Sequence, residues 1–394
     1  MKTKVFFASA LFALTLQQAS AQYISTDQFA NPTGVSITGL VVGNQGYAQP
    51  NLIWSPDAST IEVIGGITAG SGHGGRAVFS GNGTFISGVT ESQIDPTKGE
   101  MSRYNLVTKE WKKLGNSSAN NNGFTSDYSN AFGISKDGKT VGGMSFNASY
   151  VAVGYIWNEN KGGMSLESMN PTRNSRVNAV SNDGSVVVGY QDYNSSWKAS
   201  VWTRKADGTY NINKILLIDP KGDEKDSYNQ LGQANAISGD GKWIGGNSDY
   251  AFENAWIWSE ETGVQDLGNF ASVPNTTKKS YVNSINNDGS VVLGFIQTLD
   301  SQMNVLNYEP FIWIRGKGLF ELNDYIKNTL GYNMGNDKIN SPIAISSNMK
   351  YIVGWGSNNG QPKVMRIQLP NNFLSTQQQE VKTNEVKLYP NPVT

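Results

Sequence analysis

AVSNDGSVVVGY (Ala179 to Tyr190) carries two strands and the turn between them. Val177 to Val180 alternates, Asn182-Asp183-Gly184 supplies residues that tolerate positive φ, and Ser185 to Tyr190 is β-branched and apolar on both faces, which together read as a tight hairpin. The phrase returns as FGISKDGKTVGG (Phe132 to Gly143), AISGDGKWIGGN (Ala236 to Asn247), SINNDGSVVLGF (Ser284 to Phe295) and AISSNMKYIVGW (Ala344 to Trp355). Weaker copies stand at VFSGNGTFISGV (Val78 to Val89) and VSITGLVVGN (Val35 to Asn44). Working outward from Tyr190, a third strand is expected at Lys198 to Trp202 and a fourth at Tyr210 to Leu217. The third-strand ending recurs at Trp54, Trp157, Trp258 and Trp313. Equivalent serines (Ser80, Ser135, Ser181, Ser238) lie about 44 to 60 residues apart, the length of a four-stranded propeller blade. The expected fold is all-β: a β-propeller of about seven four-stranded blades, with six or eight left open because the copies at Val35 and Ala344 lack the Asp-Gly turn. The last unit supplies only three strands, so an N-terminal strand, Tyr23 to Thr26, is expected to complete that blade and close the ring.

The ends of the chain read differently from this middle. Lys2 and Lys4 precede an apolar run from Val5 to Leu16 and a small-residue site, Ala19-Ser20-Ala21, so residues 1–21 are expected to be a signal peptide. Residues 22–34 form an N-terminal segment and residues 35–370 the propeller. Residues 371–385 (NNFLSTQQQEVKTNE) form a polar linker that cannot bury a core. No later segment has the roughly 20 apolar residues of a spanning helix, so no membrane span is expected. The 394 residues contain no cysteine, which excludes disulfides and thiolate chemistry, and a net charge of -1 argues against nucleic acid as a partner.

The hairpin followed by a strand ending in Ile-Trp or Val-Trp resembles the HAF-type extracellular repeat family, over most of Val35 to Leu369. That resemblance implies a secreted or surface β-propeller and supplies no catalytic residues to carry over. VKLYPNPVT (Val386 to Thr394) is similar to the opening strand of the C-terminal sorting domain of type IX secretion cargo in Bacteroidota, where Tyr-Pro-Asn-Pro begins a small β-sandwich. This resemblance implies a truncated sorting domain at residues 386–394, secretion machinery as a partner, and an extracellular or cell-surface destination, or a periplasmic one if the shortened domain fails.

Candidate chemistry is sparse. His73 is the only histidine and lies in a glycine-rich loop, GSGHGGR, where a solvent-facing role is expected. Asp137, Asp183, Asp240 and Asp288 each precede a glycine at a two-residue turn, so they read as turn residues bonding nearby amides rather than as calcium ligands. The third-strand tryptophans, one per unit, read as packing between blades. No metal site is expected, and no phosphate-binding glycine loop implies a cofactor.

In an antiparallel blade the first-to-second and third-to-fourth turns share one face of the disc. The long connections (Glu91 to Met101, Asn116 to Ser129, Asp219 to Leu231, Ala271 to Tyr281, Gln297 to Tyr308) therefore gather on the other, where recognition is expected. Tyr104, Tyr128, Tyr193, Trp197, Tyr250, Tyr281 and Tyr308 lie in or beside those connections and are the candidate binding residues. The function expected is a non-catalytic module binding glycan or protein through this face. The alternatives are a polysaccharide hydrolase or lyase using carboxylates of Glu91 to Glu100 or Asp219 to Asp226, and a structural adhesion or surface-layer module.

Overall fold

The computed structural model describes residues 23–26, 31–46, 49–66, 75–117, 128–194, 197–371 and 373–374; the expected signal peptide, His73, most of the expected linker and the YPNP segment lie outside the described residues. Seven four-stranded antiparallel sheets follow one another along the chain. Blades 1 to 6 occupy residues 31–65, 78–113, 129–165, 175–215, 234–266 and 277–321, each with its strands in sequence order. Blade 7 takes three strands from residues 337–368 and its fourth from the N-terminus. Tyr23–Thr26 pairs antiparallel with Gln361–Gln368, Tyr23 opposite Ile367 and Thr26 opposite Val364, which is the closure the incomplete last repeat calls for. The chain is a seven-bladed β-propeller. Helical structure among the described residues is limited to Leu322–Asp324 and Tyr325–Thr329, between blades 6 and 7.

The turn chemistry explains why seven unequal copies give seven equal blades. In blade 4 the Asp183 carboxylate accepts from the Ser181 hydroxyl (2.8 Å), the Ser185 N–H (2.9 Å) and the Ser185 hydroxyl (2.7 Å), while the Ser181 oxygen accepts from the Val186 N–H (3.0 Å). Asp137 and Asp240 accept in the same way from the Ser135 and Ser238 hydroxyls and from the N–H two residues on, whereas at Asp288 the donors are the Ser290 N–H and hydroxyl, and Asn286 takes the serine's place in accepting from the Val291 N–H. The three copies without Asp-Gly build the same hairpin from Ser36 with Thr38, from Ser80 with Asn82 and from Ser346 with Asn348, because a short side-chain oxygen two residues after the serine suffices.

Apolar packing lies between the blades, with one cluster at each of the seven junctions. Trp202 is wholly buried against Ile156, Val177 and Val187 at the junction of blades 3 and 4, and Trp54, Trp157 and Trp313 are buried at theirs. This agrees with the packing role read from their repetition.

The first strand of every blade lines the central channel. Six of these strands are bulged, so that one residue, among them Asn178, Asn235 and Asn283, stands unpaired against the second strand. The repeat's closing glycine lies opposite: a Cβ at Gly189 would run into the carbonyl of Arg176, and one at Gly294 into that of Tyr281. On the Asp-Gly face the turns are tied from blade to blade, Lys136 N–H to the Asn182 carbonyl, Asn182 N–H to the Gly239 carbonyl and Asp240 N–H to the Asn287 carbonyl, all 2.9 Å.

Candidate functional site

On the opposite face, the connections of blades 4, 5 and 6 frame a cleft of about 790 Å³. Trp197 opens the third strand of blade 4 (Trp197–Arg204), and its ring stacks on Tyr190 of the second strand, centroids 4.5 Å apart at 17°. Tyr190 is buried while Trp197 is 49% exposed, so the indole presents one free flat face on a rigid support. Tyr250 of blade 5 is 53% exposed and is held from beneath by the wholly buried Lys198, whose ammonium lies 4.4 Å from the ring. Lys198 is satisfied by the Asp249 carboxylate (3.1 Å) and the Ser227 carbonyl (3.4 Å). Asp249 also accepts from the N–H groups of Ala251 and Phe252 (2.9 and 3.1 Å), so its charge is committed to holding the platform. Between the aromatics the lining is polar, with the amides of Gln233, Asn247, Asn254 and Asn269 and the charged Glu253, Lys278 and Lys279.

Tyr281 lines the far wall of the cleft and begins an aromatic belt. It stacks on Phe295 (4.9 Å, 18°), Phe295 tilts against Tyr308 (5.9 Å), and Tyr308 meets Trp355 edge-on (5.3 Å). Burial, and then the neighbouring Tyr308, push the Tyr281 hydroxyl above its ordinary pKa. The cleft thus brings together Trp197, Tyr250 and Tyr281, with Tyr308 one ring behind. Tyr104 is buried against Trp111 at the junction of blades 1 and 2, Tyr128 is buried with the Lys98 ammonium 5.4 Å from its ring, and half-buried Tyr193 stands outside the cleft lining.

The connections themselves are shorter than their sequence indicates. Gln297 to Tyr308 is mostly ladder, with Gln297 opposite Tyr308 and Leu299 opposite Val305, because Asp300 caps the Gln302 and Asn304 N–H groups and tightens the turn. Glu91 likewise pairs with Gly99.

The cleft continues inward through Gln233, Asn247 and Tyr281 to a cavity of about 300 Å³ at the channel mouth, also lined by Arg76, Phe132, Arg176 and the bulge asparagines. These asparagines join the blades: Asn178 donates to the Ala234 carbonyl (2.7 Å), Asn235 to the Val282 carbonyl (3.3 Å) and Asn283 to the Pro342 carbonyl (2.7 Å). Each acceptor immediately precedes the bulge of the next blade. Their signal was present as Asn178-Ala-Val-Ser, Asn235-Ala-Ile-Ser and Asn283-Ser-Ile-Asn, but the partner is identified only once the ring is assembled. Among the described residues no group of three or more His, Cys, Asp or Glu is placed to hold a metal.

No family model matches this sequence, and no curated protein does. Among solved structures, the chain is similar to oligogalacturonate lyase from Vibrio parahaemolyticus (TM-score 0.51, 12% identity, covering 87% of this chain and 92% of that one). It is also similar to a chain of the Mitotic Checkpoint Complex (TM-score 0.51, 10% identity, covering 94% and 97%). TolB from Acinetobacter baumannii matches at TM-score 0.41 and 13% identity, and the chain spans 65% of TolB's length. At these identities the likeness to the first two is one of fold alone.

Proposed function

We propose that this chain is an exported, non-catalytic β-propeller of the HAF-repeat type that binds a glycan in the cleft of blades 4 to 6. The observation that carries the reading is the half-exposed Trp197 ring, stacked on buried Tyr190 beside a cleft lined by amides. A sugar ring offers apolar C–H faces that stack on an indole and hydroxyl groups that exchange hydrogen bonds with Asn and Gln, so this lining is complementary to it. The commitment of Asp249 to Lys198 and to two backbone amides leaves the exposed Glu253 as the other carboxylate among the lining residues, one acidic group where glycoside hydrolysis takes a pair, and this supports a binding role for the cleft. Export rests on the charged and apolar N-terminal residues, and a cell-surface destination on the YPNP segment.

A glycan array probed with the full chain tests the reading, followed by titration of the best ligand into Trp197→Ala, Tyr250→Ala and, as a control outside the cleft, Tyr104→Phe. Loss of stacking at Trp197 is expected to weaken binding about tenfold, equivalent to about 1.4 kcal/mol, with the control unchanged. Binding that survives both cleft substitutions, or a glycan array on which nothing is bound, would refute it.

A further inference from the structure

Two guanidinium groups meet at the channel mouth. Arg76, just before the first strand of blade 2, and Arg176, in the first strand of blade 4, flank Phe132 of blade 3, and all three line the cavity of about 300 Å³. Arg176 is fixed in orientation: its guanidinium lies 4.4 Å from the Phe132 ring and 5.0 Å from Tyr190, and its Nε donates to the Asn178 side-chain oxygen (2.7 Å). Its terminal nitrogens make no hydrogen bond among the described residues. The Arg76 side chain makes none either, and no carboxylate among the described residues pairs with either group. Burial, and then the charge of Arg176, pull the Arg76 guanidinium below its ordinary pKa; burial does the same to Arg176. Two like charges, each half-buried and facing one cavity without a counter-charge among the described residues, are unfavourable for the protein alone. Arginine's planar fork of donors is suited to a carboxylate or sulfate.

We propose that the channel mouth is an oxyanion seat formed by Arg76 and Arg176, and that the preferred ligand is an acidic saccharide carrying a carboxylate or sulfate. The cleft and this cavity share Gln233, Asn247 and Tyr281, so a saccharide stacked on Trp197 and Tyr250 runs inward to present its charged group to the arginines. The saccharide part rests on the glycan reading above; the oxyanion seat rests on the arginines alone.

Two measurements on the full chain separate them. Thermal unfolding in sodium glucuronate, against sodium chloride at equal ionic strength, is expected to show a Tm several degrees higher for the wild type and no difference for Arg76→Gln or Arg176→Gln. Sodium methyl sulfate in a parallel arm distinguishes a sulfate from a carboxylate preference. Titration with a glucuronate-containing oligosaccharide and its carboxyl-reduced neutral counterpart is expected to show at least tenfold preference for the acidic form, lost in either arginine variant, while Trp197→Ala weakens both forms alike. If the acids leave the wild-type Tm unchanged, or shift wild type and variants equally, the oxyanion seat is overturned. Equal binding of acidic and neutral oligosaccharides overturns the acidic-ligand assignment and leaves the glycan reading intact. A glucuronate shift confined to the wild type, with no oligosaccharide bound, keeps the oxyanion seat and removes the glycan reading.

Discussion

At Asn283 a side-chain amide meets a backbone need created in the next blade: the bulge at Ile343 breaks the ladder just after Pro342, and Nδ2 donates to the Pro342 carbonyl (2.7 Å) while also reaching the Ser341 hydroxyl (3.1 Å). Asn283→Ala leaves that buried carbonyl unpaired and is expected to cost about 1–3 kcal/mol, read as a lower urea midpoint at unchanged slope. The turn aspartates give a pH dependence. Burial pushes the Asp183 and Asp288 carboxyls up, but bonds from Ser185 and Ser181, and from Ser290, outweigh it and hold both below the ordinary carboxylate value. A carboxyl depressed in the folded state stabilises above its unfolded value, about pH 4, and loses that contribution as pH falls through the folded value. The urea midpoint is therefore expected to drop between about pH 5 and pH 3, and to drop less in an Asp183→Asn, Asp288→Asn double variant. The aspartates were legible in the sequence because their partners lie within two residues of them. Arg76 and Arg176 were not: their relation is set by where blades 2 and 4 stand around a ring, a separation of 100 positions that no local pattern records.

Among the elements, the strand Tyr23–Thr26 has the largest consequence for its size. Its four residues cover the outer edge of Gln361–Gln368, and the Tyr23 hydroxyl donates to the Asp337 carboxylate across blade 7. A chain beginning at Gln28, compared with one beginning at Gln22, is expected to unfold at lower temperature and to self-associate, because an uncovered strand edge invites pairing with another chain; light scattering alongside thermal unfolding checks both. The need for this strand was legible as a shortfall, a last repeat with three strands in a fold that uses four. The paired residues within Gln297–Tyr308 were not, since polar side chains there disguise a ladder as a loop.

For the molecule as a whole, the seven junction clusters and the bonds between turns make the disc a closed circuit, yet its first and last strands join it through a single pairing. Tyr23, where the first strand begins, lies opposite Ile367, near where the last strand ends. Tension between the termini therefore loads this ladder from one end and opens its bonds one after another, like a zip, instead of shearing all of them together. Stretched in an optical trap by handles on both termini, the protein is expected to yield first in a small, low-force step of a few residues, with the rest of the disc giving way only at higher load. A molecule tethered to a surface by its C-terminal end escapes that stress, because drag on the disc passes through the last strand into its neighbour in blade 7 without being carried by the clasp.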